Sequence, residues 1–359
     1  VVGALAGLGG LAVLGVRGGR ARDARTLRFT SHVPRTHGLT RFVYAPFFEL
    51  VEARTGSRLR FESYMDGLLH GPLGGFKACN TGVTDYTHGY STYQPGSFHL
   101  LHGLQLPLLF DSPAVASLVS EELYPTYFKD EYERMGVYLA HCDSTSPYNI
   151  LSRTPIRGPD DLRGLKVRSV GGLTADVFEE LGAVPIVMAT SDVYVAFQRG
   201  VIDAVALGIP DMVSYRLQDI GTHLCIVDIN VNVLQYCLNR SSFDALPDDL
   251  REELYDLFRI RSQIAAQRFY SGPPEVEARQ TLRDEGIEVY EVPPGERENW
   301  RDRLAPLRDR FILSEEAEGR PAGEMVRSME TLARTYSSLS GEEIMQRVTD
   351  EPVEGIIDL

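Results

Sequence analysis

Between Pro155 and Asp211 the chain alternates short apolar runs of strand length with helical repeats, and nothing else in the sequence restricts the fold as strongly. Leu165–Val170 reads as a strand. Thr174–Leu181 puts Val177, Phe178 and Leu181 on one helical face, with Gly182 as its stop. Val184–Met188 is a β-branched strand. Ser191 or Asp192 opens a second helix, Gly200 closes it, and Ile202–Leu207 is a third strand. Strand–helix–strand–helix–strand predicts a parallel sheet with crossovers. Such sheets bind ligands beyond the C-terminal ends of their strands.

Arg168 falls at such an end, and so does Gly208. Gly171 and Gly172 follow Arg168 and lead into the next helix. A guanidinium fork suits a carboxylate, and free N–H groups at a helix start add positive potential. The plainer alternative is an exposed arginine paired with a nearby acid, which is common on α/β surfaces.

The same residues carry a family pattern. Pro155-Ile156-Arg157, Pro159, Asp161-Leu162-Arg163-Gly164-Leu165-Lys166-Val167-Arg168 and then Gln198-Arg199-Gly200-Val201-Ile202-Asp203 resemble the solute-binding proteins of tripartite ATP-independent periplasmic (TRAP) transporters. The resemblance extends from about Thr26 to about Arg310. It implies a two-domain periplasmic-binding-protein-like α/β fold. Each domain would be a mainly parallel sheet with flanking helices, and a long helix would span both. It also implies that Arg168 binds a substrate carboxylate. Two departures stand out. Many members carry a second arginine where this chain has Ser146-Pro147-Tyr148-Asn149, and a common Gln-Glu-Asn-Pro run is replaced by Leu207-Gly208-Ile209-Pro210 followed by Asp211. Both argue for a ligand of modest charge in a more apolar site. Asp211 either accepts from a ligand amine or hydroxyl or caps the following helix.

The N-terminal part repeats the plan. Leu27–Thr30 is a strand. A helix follows with Leu39, Phe42, Val43, Phe47, Leu50 and Val51 on one face and a kink at Pro46. Leu59–Glu62 and Val83–Thr87 are strands. Thr81-Gly82-Val83-Thr84-Asp85 echoes Arg199-Gly200-Val201-Ile202-Asp203, so two similar halves face each other, and ligand sites favour such an interface. The expected division is 26–145 plus about 237–270 for the first domain and 146–236 plus about 271–312 for the second, with 313–359 as a tail. Tyr90, after the third strand, is either a cleft contact or a packed loop tyrosine. Tyr148, Gly208, Asp211 and Gln235 join it as candidate substrate contacts. A long helix starts at Pro247 and reaches Asp284, broken near Gly272-Pro273-Pro274. The sequence beyond Ser314 stays unassigned.

A net charge of −14 and the lack of a basic patch argue against nucleic acid as a partner. Val1–Val16 resembles the apolar core of an export signal, so residues 1–25 read as a signal peptide or anchor remnant, although Arg17, Arg20, Arg22 and Arg25 oppose export. The four cysteines read as single buried thiols, with a Cys225–Cys237 disulfide as the alternative. There is no G-x-S-x-G, H-E-x-x-H or P-loop, and the His99/His102 pair fits two loop histidines better than a metal site. The expectation is therefore a periplasmic binding protein without cofactor, metal or catalytic residues. Its partners would be a small organic acid and the membrane subunits of a TRAP transporter. A ligand-presenting sensor subunit and an α/β enzyme acting at Arg168 are the other readings.

Overall fold

The structure, a computed structural model, describes residues 24–94 and 96–359. The expected leader lies outside the described residues except at its end, where Arg25 opens the first strand. No helix among the described residues is long and apolar enough to cross a membrane.

Two sheets form, each with its own core. The first has five strands in the order Leu59–Tyr64, Arg25–Thr30, Tyr86–His88, Val233–Leu238, Tyr138–Ser144. The second has six, in the order Glu288–Glu291, His223–Ile226, Asn149–Ser152, Ala204–Leu207, Lys166–Ser169, Val184–Val187. The strands of the Pro155–Asp211 stretch pair in parallel as expected. Both sheets are nonetheless mixed. In each, the antiparallel member is the strand that arrives from the other half: Val233–Leu238 in the first sheet and Asn149–Ser152 in the second.

The two crossing segments therefore run side by side between the sheets. Tyr148 N–H donates to Asn230 O at 2.7 Å, Ile229 N–H to Tyr148 O at 3.0 Å, and Thr145 N–H to Asn232 O at 3.0 Å. Strands His223–Ile226 and Val233–Leu238, on either side of one crossing segment, lie in different sheets. That separation also excludes the Cys225–Cys237 alternative; all four thiols are free and buried.

The echo between the halves holds at the level of atoms. Gly82 and Gly200 end their helices at φ 70° and 71°, conformations that favour glycine. Three residues on, each aspartate stitches a neighbouring strand. Arg28 N–H donates to Asp85 Oδ2 at 2.7 Å, and Lys166 N–H donates to Asp203 Oδ2 at 2.8 Å. In return Asp85 N–H donates to Arg28 O at 3.0 Å and Asp203 N–H to Lys166 O at 2.8 Å.

The first core gathers side chains from Leu27 to Cys142 and from Val231 to Tyr270; the second gathers Tyr148 to Ile229 and Ala278 to Leu307. The long helix bends where expected. Asp248–Ala265 packs Leu254, Leu257 and Phe258 into the first core, a π-helical turn at Ala266–Tyr270 follows, and Pro273–Asp284 packs Ala278 and Leu282 into the second. Helix Pro294–Ala317 makes a second bridge, with Trp300 and Leu304 in the second core and Phe311 in the first. The unassigned C-terminus forms helices Ala322–Tyr336 and Gly341–Asp350, which close the first core with Met325, Val326, Met329, Ile344 and Val348.

Candidate functional site

Strand Lys166–Ser169 carries Arg168 into full burial, with none of its surface exposed. Burial follows from position: the strand is flanked on both sides, by Ala204–Leu207 and Val184–Val187. Among the described residues the guanidinium finds only neutral acceptors. It donates to Thr190 Oγ1 at 2.8 Å, to Met188 O at 3.1 and 3.3 Å, and to Ala206 O at 3.3 Å. The exposed, acid-paired arginine considered from sequence is thus not what forms. A desolvated cation without a counter-charge is costly, and a carboxylate brought to it offsets that cost.

Thr190 is also part of the wall of a cavity of about 40 Å³ between the two sheets. The first half supplies Tyr90, Tyr93, His32, His37, Leu234 and Tyr270; the second supplies Tyr148, Val170, Leu207, Asp211 and Tyr215. Tyr90, Tyr148 and Asp211 are thereby brought together next to Arg168. Burial pushes the Tyr148 phenol up; the Arg168 charge opposes this and Asp211 adds to it. Tyr90 is held by His88, whose Nδ1 bonds its hydroxyl and whose Nε2 lies 2.7 Å from Ser31 Oγ. Asp211 lies in the first turn of helix Ile209–Ser214, and its Oδ1 is 3.3 Å from His37 Nε2. His37 Nδ1 accepts the Leu39 N–H at 3.2 Å, which turns Nε2 toward Asp211.

Gly208 and Gln235 do not line this cavity. Gly208 starts helix Ile209–Ser214, and a Cβ there would come within 2.9 Å of Ser146 Oγ at the crossing segments. Gln235 is turned away: its Oε1 accepts Ser91 N–H at 3.0 Å and its main-chain oxygen accepts Gly89 N–H at 2.9 Å, which fixes the loop that presents Tyr90. Sequence reasoning missed His32, His37, Tyr93, Thr190, Tyr215 and Tyr270. Only Tyr215 left a signal, one helical turn after Asp211.

The helix start at Gly172 also differs from expectation, since it faces the other half of the molecule. Gln105 Nε2 donates to Thr174 Oγ1 at 3.0 Å, and Asn230 Nδ2 donates to the same hydroxyl at 2.8 Å. Thr190 N–H reaches Tyr93 Oη at 3.4 Å. These bonds join the two halves, and only the Tyr93–Thr190 contact lies at the cavity wall. Gly172 has φ 58° and ψ −151°, a region essentially reserved for glycine, and a Cβ would lie 2.3 Å from Gln105 Oε1. Gly172→Ala is expected to cost about 1–3 kcal/mol in urea denaturation. A variant as stable as the parent would remove Gly172 as a determinant of this contact.

Comparison with known proteins agrees with this geometry. The family model described as "Bacterial extracellular solute-binding protein, family 7" matches residues 29–315. A C4-dicarboxylate-binding periplasmic protein of Rhodobacter capsulatus is 26% identical over 273 residues, 74% of this chain and 80% of its own length. The 2,3-diketo-L-gulonate-binding periplasmic protein of Escherichia coli is 24% identical, over 64% of this chain and 71% of its own. Among solved structures, a TRAP periplasmic solute-binding protein from Bordetella bronchiseptica with bound (R)- and (S)-mandelate superposes with a TM-score of 0.80 at 24% identity, covering 87% of this chain and 99% of that one. One from Rhodoferax ferrireducens in complex with copurified benzoate gives 0.83 at 19% identity, covering 88% and 99%. Family and neighbours are periplasmic solute-binding proteins of transport, not enzymes. On a match running from Phe29 to Glu315, this chain belongs to the bacterial extracellular solute-binding protein family 7.

Proposed function

We propose that this protein is the periplasmic receptor of a TRAP transporter, that it binds a small organic acid between its two halves, and that it delivers the acid to membrane subunits. The observation that carries this reading is Arg168, a fully buried cation whose hydrogen-bond partners among the described residues are all neutral, next to an interdomain cavity. The ligand carboxylate takes the guanidinium, and Tyr90, Tyr148 and Asp211 contact the remainder. Gly208 and Gln235 shape the crossing segments and the Tyr90 loop around it. The ligands of structural neighbours support the class: mandelate, benzoate, succinate and pyroglutamic acid each carry a carboxyl group.

The mechanism is binding with hinge closure. The main chain passes between the sheets through the crossing segments 145–148 and 227–232, the bent helix and helix Pro294–Ala317, and the halves open about the crossing segments. Closure joins the halves through Gln105, Thr174, Asn230 and Tyr93, and exclusion of water strengthens the buried ion pair. The domain division expected from sequence, with its boundary near 145 and 236, and an N-terminal leader or anchor belong to this same proposal.

Native mass spectrometry of the purified protein, before and after mild denaturation, tests the reading together with a thermal-shift panel of mono- and dicarboxylates. A released organic acid, or a carboxylate that raises Tm in proportion to its affinity, is expected. A protein that carries no acid and whose Tm no carboxylate moves would overturn it.

A further inference from the structure

Resting on the carboxylate-receptor reading, we infer that Asp211 is the specificity-determining residue of the site, and that the ligand is a monocarboxylic acid with an apolar body and a hydroxyl or ammonium donor at its far end. The cavity wall holds a single carboxylate among its described residues, that of Asp211, and no lysine or arginine. Arg168, which donates to Thr190 Oγ1 at 2.8 Å, supplies a guanidinium behind the wall. The site thus offers one positive and one negative anchor.

Asp211 is 6% exposed and lines the cavity. Its helix does not use it as a cap: Gly208 holds that position, and no side-chain cap bond forms there. One oxygen lies 3.3 Å from His37 Nε2, and no lysine or arginine stands in the cavity wall beside it. A buried carboxylate that lines a ligand cavity takes a hydrogen-bond donor from the ligand. Tyr90, Tyr93, Tyr270, Leu207 and Leu234 supply a largely apolar part of the cavity wall. Tyrosine faces also favour an ammonium group. A second ligand carboxylate would meet Asp211 and no cation, so dicarboxylates are selected against.

Calorimetric titration with two matched sets tests this. In each set only the far group changes: butanoate, 4-hydroxybutanoate, 4-aminobutanoate and succinate; benzoate, 3-hydroxybenzoate, 3-(aminomethyl)benzoate and benzene-1,3-dicarboxylate. In whichever set fits the cavity, the donor-bearing acids are expected to bind about tenfold or more tightly than the parent, and the dicarboxylate more weakly than the parent. Asp211→Asn, which keeps the shape, should abolish the ammonium preference and retain part of the hydroxyl preference; circular dichroism and Tm confirm its fold. A parent acid or dicarboxylate that equals the donor-bearing acids on the unaltered protein overturns the assignment without need of the variant. If those acids still lose binding in Arg168→Met, the receptor reading stands and only the role of Asp211 falls. If no member of either set binds, both fall together.

Discussion

Arg168→Met is expected to lose carboxylate binding by about 100- to 4,000-fold, equivalent to about 3–5 kcal/mol. Methionine fills much of the space of the arginine stem and removes the charge. The ligand carboxylate would then be buried without a cation, which is where most of the loss arises. The readout is direct. At a concentration of 100 times Kd the unaltered protein gains about 2.7 kcal/mol of stability from its ligand; at that same concentration the variant should gain under about 0.5 kcal/mol. Arg168→Lys keeps the charge but not the fork that spans Met188 O, Ala206 O and Thr190 Oγ1, so its affinity should fall between the two. Wild-type affinity in the methionine variant would exclude Arg168 as the anchor.

The second large effect is loss of stability in mild acid. His32, His88 and His141 are buried in the first half. Burial lowers His32 to about 3 and His141 to about 4, the latter despite Asp143 at 3.0 Å from its Nδ1, and holds His88 well below its ordinary value. The folded state therefore keeps these rings neutral while the unfolded chain protonates them below about 6.5. The unfolded state then binds more protons, so the stability present above pH 6.5 is lost as pH falls toward the folded values, by about 1.4 kcal/mol per unit for each histidine.

Glu121 works in the opposite sense. Burial raises it to about 7, with Arg259 3.3 Å away opposing, so between 7 and its ordinary 4.5 the folded state binds the extra proton and gains stability as pH falls. Three histidines against one glutamate leave a net loss of about 2–3 kcal/mol between pH 7.5 and 5.5. Urea midpoints at the two pH values check this. Glu121→Gln should deepen the loss to about 4 kcal/mol, and equal midpoints in the unaltered protein would show that these histidines do not stay neutral.

The histidines also show why parts of the site escaped a reading by eye. His88 sits beneath Tyr90 and joins it to Ser31, but nothing in the string His88-Gly89-Tyr90 says that the ring is buried. His141 stacks on Tyr236 at 4.4 Å and lies beside Asp143, itself paired to Arg261 at 2.9 Å; these partners are more than a hundred residues apart for Arg261 and nearly so for Tyr236. The helix Ala322–Tyr336 is a different case. Its buried Met325, Val326, Met329, Ala333 and Tyr336 recur at helical spacing, so the pattern was legible and the charged residues between them obscured it.

The sequence by itself determined what depends on neighbours along the chain. Period and punctuation placed the strands and helices from Leu165 to Leu207, because side-chain direction repeats with backbone geometry. The two Gly-Val-x-Asp segments announced two related halves, because each glycine must turn left-handed where its helix ends. Arg168 stood out at a strand end for the same local reason. Only the tertiary structure decided which strands trade sheets, how deeply Arg168 is buried, that the Gly172 helix start meets Gln105 and not the cavity, and that Asp211 faces His37 across the cleft. Those outcomes depend on contacts between segments far apart in the chain, where burial turns an ordinary charge into one that demands a partner, and no local pattern encodes which partner will be near.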